Sequence, residues 1–119
     1  MTTTTSELRQ KHCQSCEGGV PALSEAQVRD ALRAVPAWHL VADGKSIRRE
    51  WKLKDFASGL EFIQKVGELA ENEDHHPDIH LVGYRNLTIE LSTHAVGGLT
   101  ENDFIVAAKI DELPVKLKK

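Results

Sequence analysis

No stretch of the chain approaches the ~20 consecutive apolar residues of a membrane-spanning helix, and the polar N-terminus lacks the apolar core of a secretory signal. The chain is therefore read as soluble and cytoplasmic. It also lacks an excess of positive charge: 15 basic against 18 acidic residues give a net charge of -3, the wrong balance for a surface that neutralises phosphates. The basic run from Lys116 to Lys119 is short and reads as a solvated tail. Cysteine is scarce. Cys13 and Cys16 make a single C-x-x-C beside His12, whereas a structural zinc site takes about four ligands and a redox pair opens a helix in a βαβ setting. Gly18, Gly19 and Pro21 follow instead, which places the pair in a loop with neither metal nor redox function. There is no convincing internal repeat, and 119 residues suffice for one domain burying roughly 60 to 70% of its unfolded surface without metal or disulfide support.

Residues 1–21 carry a threonine run, two glycines and a proline without apolar periodicity, and read as a flexible arm. The single domain is expected over 22–119. Ser24 and Gln27 form a capping box and Leu23 and Val28 a hydrophobic staple. The helix they start presents Val28, Ala31, Leu32 and Val35 on one stripe and ends at Pro36. Trp38 to Val41 and Ser46 to Leu53 read as a hairpin turning at Asp43-Gly44. Asp55 caps a long second helix whose apolar stripe is Phe56, Leu60, Ile63, Val66 and Ala70, widened by Phe62 and Leu69. Ile79 to Tyr84 and Leu87 to Thr93 alternate as strands, with Arg85 and Asn86 as the turn. Thr100 and Asp103 make a second capping box, with Leu99 and Phe104 as staple. The last helix runs from Glu101 to about Leu113, stopped by Pro114. The fold class is α+β: a four-stranded antiparallel sheet with helices on one face, in the order α-β-β-α-β-β-α. Leu87, Ile89 and Leu91 should meet the helices, with Thr88, Glu90 and Ser92 on the other face.

The chemistry concentrates at Glu71-Asn-Glu-Asp-His-His, closed by Pro77, which bars further helix. If the second helix persists one extra turn, Glu71 and His75 become i, i+4 neighbours. If the second hairpin reverses about Arg85, His94 falls opposite His76. A slip of one or two residues leaves both at the hairpin's open end, so His75, His76, His94, Asp74 and Glu71 converge on one rim. Histidine, with an unperturbed pKa of ~6.5, donates and accepts protons near neutrality, and several around one pocket can divide acid and base roles. His39 and His80, alone on strands, read as structural, and Asp103 is accounted for by its cap. Metal binding is the competing chemistry, since His75, His76, His80 and His94 with Asp74 or Asp78 are suitable ligand types. Adjacent histidines usually diverge, however, and Pro77 breaks the helical spacing between His76 and His80. No metal is expected.

Glu71 is followed after three residues by His75-His76-Pro77, after six more by Tyr84, after nine by His94 and after eight by Asp103. With Leu91-Ser-Thr-His, the glycines before the last helix, and Trp38 followed by Trp51-Lys-Leu-Lys-Asp-Phe, this pattern resembles the pterin-4a-carbinolamine dehydratases over about residues 22 to 113. The resemblance implies a cofactor-independent hydro-lyase. Its substrate would be 4a-hydroxytetrahydropterin, left when an aromatic amino acid hydroxylase spends its pterin, and its products quinonoid dihydropterin and water. It also implies that His75 and His94 are the acid/base pair, that His76 binds and orients substrate beside them, that Glu71 fixes the tautomer of an imidazole and that Asp103 serves the same network. With Asp74 from the rim, Glu71 and Asp103 are read as substrate-binding. A homodimer or homotetramer is implied too, through sheet edges and helices. Two rivals stand beside it. One is a non-enzymatic partner, such as a transcriptional coactivator that stabilises a dimer or an assembly factor for a carbon-fixing enzyme. The other is an enzyme on another pterin, as in molybdopterin metabolism.

Overall fold

The computed structural model describes residues 4–13 and 21–118. Its elements are α1 (Thr5–Gln10), α2 (Glu25–Ala34), β1 (His39–Leu40), β2 (Ile47–Lys52), α3 (Phe56–Glu73), β3 (Asp78–Val82), β4 (Asn86–Leu91), a 3-10 turn (His94–Val96) and α4 (Glu101–Ile110). The four strands form one antiparallel sheet in the order β1-β2-β4-β3. From α2 onward this is the expected α+β plan, and among the described residues no helix is long and apolar enough to cross a membrane.

Side-chain alternation sorts the two sheet faces. Ile47 and Trp51 of β2 and Leu87, Ile89 and Leu91 of β4 are buried against the helices. On the opposite face Arg48 pairs with Glu90 at 3.1 Å and His80 lies 3.8 Å from the same carboxylate. Trp51 stands edge-on to Trp38, with ring centres 5.9 Å apart, and packs on Phe62 of α3. The Trp38 indole nitrogen donates to Asp111. Both expected capping boxes form, at Ser24/Gln27 and at Thr100/Asp103. Helix α4 is apolar on nearly every side and correspondingly buried.

The structure departs from the sequence expectation in four places. First, the expected arm is ordered where it is described. Thr4 caps α1 by accepting the Glu7 amide, Leu8 is fully buried in the common core, and the Thr5 hydroxyl donates to the Ala34 carbonyl at 2.5 Å. One well-placed leucine, not a periodic stripe, anchors it. Cys16 lies outside the described residues.

Second, the buried stripe of α3 is Gly59, Phe62, Val66, Ala70 and Glu73, while Phe56 and Leu60 are each 49% exposed. The helix comes so close to the sheet at Gly59 that a Cβ there would stand 2.9 Å from the Leu53 side chain. That approach rotates Phe56 and Leu60 off the core.

Third, the second hairpin reverses at Tyr84, not Arg85, since Asp78 pairs with Glu90 and Val82 with Asn86. Gly83 and Tyr84 both take positive φ, making a tight three-residue turn. Continued past the strands, this register sets Ser92, rather than His94, opposite His76. Fourth, the basic tail, exposed at 116–118 as expected, is also held through its backbone: the Lys54 amide donates to the Lys116 carbonyl and the Lys118 amide to the Lys52 carbonyl.

Candidate active site

Helix α3 ends where Asp74 adopts a left-handed conformation (φ 51°) and the His75 amide donates back to the Ala70 carbonyl. Such a reversal closes the helix as a C-terminal cap does, and Pro77 then forces extended chain. It also separates Glu71 from His75. The expected i, i+4 pair is not made; Glu71 lies 3.6 Å from His76 instead, with both side chains exposed.

His75 turns inward. Its side chain is 6% exposed, and Nε2 lies 2.6 Å from Oδ1 of the fully buried Asp103. The other oxygen of Asp103 accepts the Thr100 amide at 3.0 Å and the Thr93 hydroxyl at 2.9 Å. Thr93 and Thr100 hydroxyls lie 2.9 Å apart. Because Thr93 has one proton and gives it to Asp103, Thr100 must donate to Thr93, while Thr100 accepts the Asn102 amide. Proton directions therefore run from Thr100 to Thr93 to Asp103, and the carboxylate accepts at every contact. Its neighbour Nε2 then carries a hydrogen, which leaves Nδ1 as the ring nitrogen of His75 with no hydrogen-bond partner among the described residues.

Thr93 and Gly98 form a bridge that pins a small loop, closed at Gly97 in the left-handed conformation (φ 65°). His94 opens the 3-10 turn within it and is exposed. The loop carries His94 to the end of α3. A shallow cavity of about 220 Å³ is lined by Asp74, His75, His76, Ser92, Thr93, His94 and Ala95. The three histidines thus meet at the open end of the hairpin despite the shifted register. Asp74 joins them, Asp103 lies behind His75, and Glu71 stands outside the lining. A second depression of about 260 Å³ shares Ser92, Thr93 and His94 and reaches Asp43 and Lys45 at the first hairpin turn. His39 and His80 line neither. Among the described residues no three histidine, cysteine or acidic side chains are grouped as metal ligands.

Sequence reading missed Thr93 and Thr100 as supports of the site. Thr100 had a local signal, but only as a helix cap. Thr93 had only its place in the Leu91-Ser-Thr-His stretch that carries the resemblance.

The sequence profile for pterin 4 alpha carbinolamine dehydratase matches residues 21–113. The chain belongs to that family. It is 48% identical over 113 residues to the mitochondrial pterin-4-alpha-carbinolamine dehydratase 2 of Arabidopsis thaliana, covering 92% of this chain but only 60% of that longer protein. It is 44% identical to a putative family member of Nitrosospira multiformis over 95% of this chain and 97% of the relative. Among solved structures, the transcriptional coactivator/pterin dehydratase of Brucella melitensis superposes with a TM-score of 0.72. That protein is 34% identical, over 76% of this chain and 96% of its own.

Proposed function

We propose that the protein dehydrates 4a-hydroxytetrahydropterin to quinonoid dihydropterin by histidine acid/base catalysis. The observation that carries the reading is the buried His75–Asp103 pair opening on a cavity that His76 and His94 share, in a chain of the dehydratase family. The reaction removes a hydroxyl from C4a and a proton from N5. An acid protonates the departing hydroxyl so that the C–O bond breaks with water as leaving group. A base takes the N5 proton, and the N–H electron pair becomes the new N5=C4a bond, so one water is lost in balance.

His75 suits the base. Asp103 holds Nε2–H, leaves Nδ1 to accept, and stabilises the cationic ring that results, as the buried aspartate of a Ser-His-Asp triad does. His94, exposed across the cavity, is assigned the acid, since a ring open to water reloads its proton readily. His76 binds and orients substrate, and Asp74 at the rim is placed to hold its polar edge. Glu71 acts only through His76.

In this reading the protein recycles the pterin spent by an aromatic amino acid hydroxylase. It is a homodimer or homotetramer, for which the outer edge of β3, unpaired among the described residues, and the half-exposed Phe56 and Leu60 offer surfaces. The Brucella protein is described as both a coactivator and a dehydratase. A binding-only role is the alternative, and it would not need the histidines.

The test is the rate of carbinolamine dehydration by purified protein above the spontaneous reaction, with and without a chelator. Saturable acceleration indifferent to chelation is expected. No acceleration, or activity lost on chelation and restored by metal, would overturn the proposal.

A further inference from the structure

A second buried carboxylate lies beside the site, outside the catalytic rim. Glu73 is the last residue of α3, is 7% exposed, and is separated from His75 only by Asp74. Its Oε2 accepts the Lys109 ammonium at 2.7 Å and faces His12 Nδ1 at 3.2 Å; its Oε1 accepts the Cys13 amide at 2.7 Å. Burial by itself would raise the Glu73 carboxyl. The hydrogen bond and charge of Lys109, with the Cys13 amide and His12, hold it below the ordinary range instead. Burial and then the Glu73 charge push the Cys13 thiol up to about 12, so Cys13 contributes its amide and not a thiolate.

Lys109 lies on α4, about 9 Å along the helix axis from Asp103 at 1.5 Å per residue. The end of α3 is therefore tied to α4 at two points, Glu73–Lys109 and His75–Asp103. With Asp74 in its left-handed turn between them, a shift of Glu73 carries the His75 backbone with it. His12 and Cys13 precede residues 21–113, the part that the family profile matches. They are brought to Glu73 by α1, held through buried Leu8 and by Arg9–Glu112 and Lys11–Glu101 ion pairs. Cys13 Sγ also reaches the carbonyl of Asn102, next to Asp103.

We infer that Glu73 is a positioning residue for His75, locked in place by Lys109 and by the amide of Cys13 from the N-terminal segment. An ion pair is a costly way to fill a dry interface, and apolar residues of similar volume often serve stability as well or better. What the pair adds is direction: two short charge-assisted bonds fix the carboxylate, and with it the last turn of α3, to within a fraction of an ångström. A displacement of about 1 Å at a reacting group can cost on the order of a hundredfold in rate.

The inference rests on the function proposed above, so its test carries one readout independent of activity. In the full-length chain, Glu73→Leu with Lys109→Met removes the pair without stranding a charge. Cys13→Pro removes the amide donor on the segment side together with the thiol, and Cys13→Ala, which loses the thiol alone, keeps the donor. Lys65→Ala, on an exposed ion pair of α3, is the control. Long-range proton–nitrogen spectra of the imidazoles should show His75 as one Nε2–H tautomer in the parent, Cys13→Ala and Lys65→Ala proteins. The Glu73/Lys109 double variant and Cys13→Pro should show a tautomer mixture. With active enzyme, kcat should fall on the order of tenfold to a hundredfold in those two while KM changes less than twofold. Folded variants with the parent's His75 signals would overturn the inference, whatever the activity. Parent protein without dehydratase activity but with the expected spectral changes would overturn the function and leave the positioning role standing.

Discussion

Asp103 and Glu73 are both buried, both hydrogen-bonded to a histidine and both at the end of a helix, yet their environments differ in the way that matters for chemistry. Asp103 sits in the first turn of α4, where the helix dipole and unpaired amides favour an anion, and its donors are an amide, a hydroxyl and His75. Among the described residues no lysine or arginine is paired with it. Glu73 sits in the last turn of α3, where the dipole disfavours an anion, and Lys109 offsets the cost. Its histidine, His12, is 85% exposed and faces a carboxylate that is already neutralised. A histidine beside a carboxylate is therefore not by itself a catalytic pair. The pair is poised for proton transfer only when the imidazole is the group that must answer the charge.

The largest expected effect comes from taking the charge away from the poised member. Asp103→Asn keeps the shape but no longer supports a cationic His75. Turnover should fall ~100 to 10,000-fold, the range for losing acid/base function, in steady-state assays of folded protein. A fall of only a few-fold would show that Asp103 is a helix cap alone.

Breaking the other cluster should cost stability first. Lys109→Met strands a buried carboxylate and should destabilise by ~3 to 5 kcal/mol at neutral pH, measured by urea unfolding. The pH dependence carries a sign. In the parent the Glu73 carboxyl is lowered, so its contribution is full above the ordinary glutamate value of ~4.3 and is lost as pH falls below it. In Lys109→Met burial dominates, the folded carboxyl rises above its unfolded value, and acidification relieves the penalty. The gap between variant and parent should narrow from pH 7 to pH 4. A gap that widens would contradict this account of Glu73.

Leu8→Ala tests whether the N-terminal segment belongs to the core. A fully buried leucine should cost ~2 to 5 kcal/mol, read as a lowered Tm, and an unchanged Tm would detach α1 from the fold. His12→Ala should do least: below ~1 kcal/mol for an exposed partner, with turnover within about twofold of the parent. A loss comparable to that of Asp103→Asn would erase the distinction between the clusters.

Much of this was legible in the sequence because it is local. The Ser24/Gln27 and Thr100/Asp103 boxes and the alternation of Leu87, Ile89 and Leu91 are short-range patterns, and they formed as read. The convergence of His75, His76 and His94 was legible because any nearby register keeps them at one end of the hairpin. The register itself was not, because it turns on Gly83 and Tyr84 accepting positive φ. The facing of α3 was not, because it depends on how closely Gly59 meets Leu53. Helix α1 did carry a signal in Thr4 and Glu7, the first and fourth positions of a capping pattern, but a lone Leu8 gives no period to detect. Thr93, Lys109 and Cys13 have roles that exist only through residues distant in sequence.

The most direct measurement is the steady-state turnover of His75→Ala, His94→Ala and their double variant, corrected for spontaneous dehydration and made at several pH values. Each single change should depress turnover by ~100-fold or more, whereas His76→Ala should chiefly raise KM, by roughly tenfold for one lost hydrogen bond. The double variant should lose more than either single one, without equalling their product. Near-parental turnover in the folded double variant would contradict histidine acid/base catalysis and return the protein to a binding role.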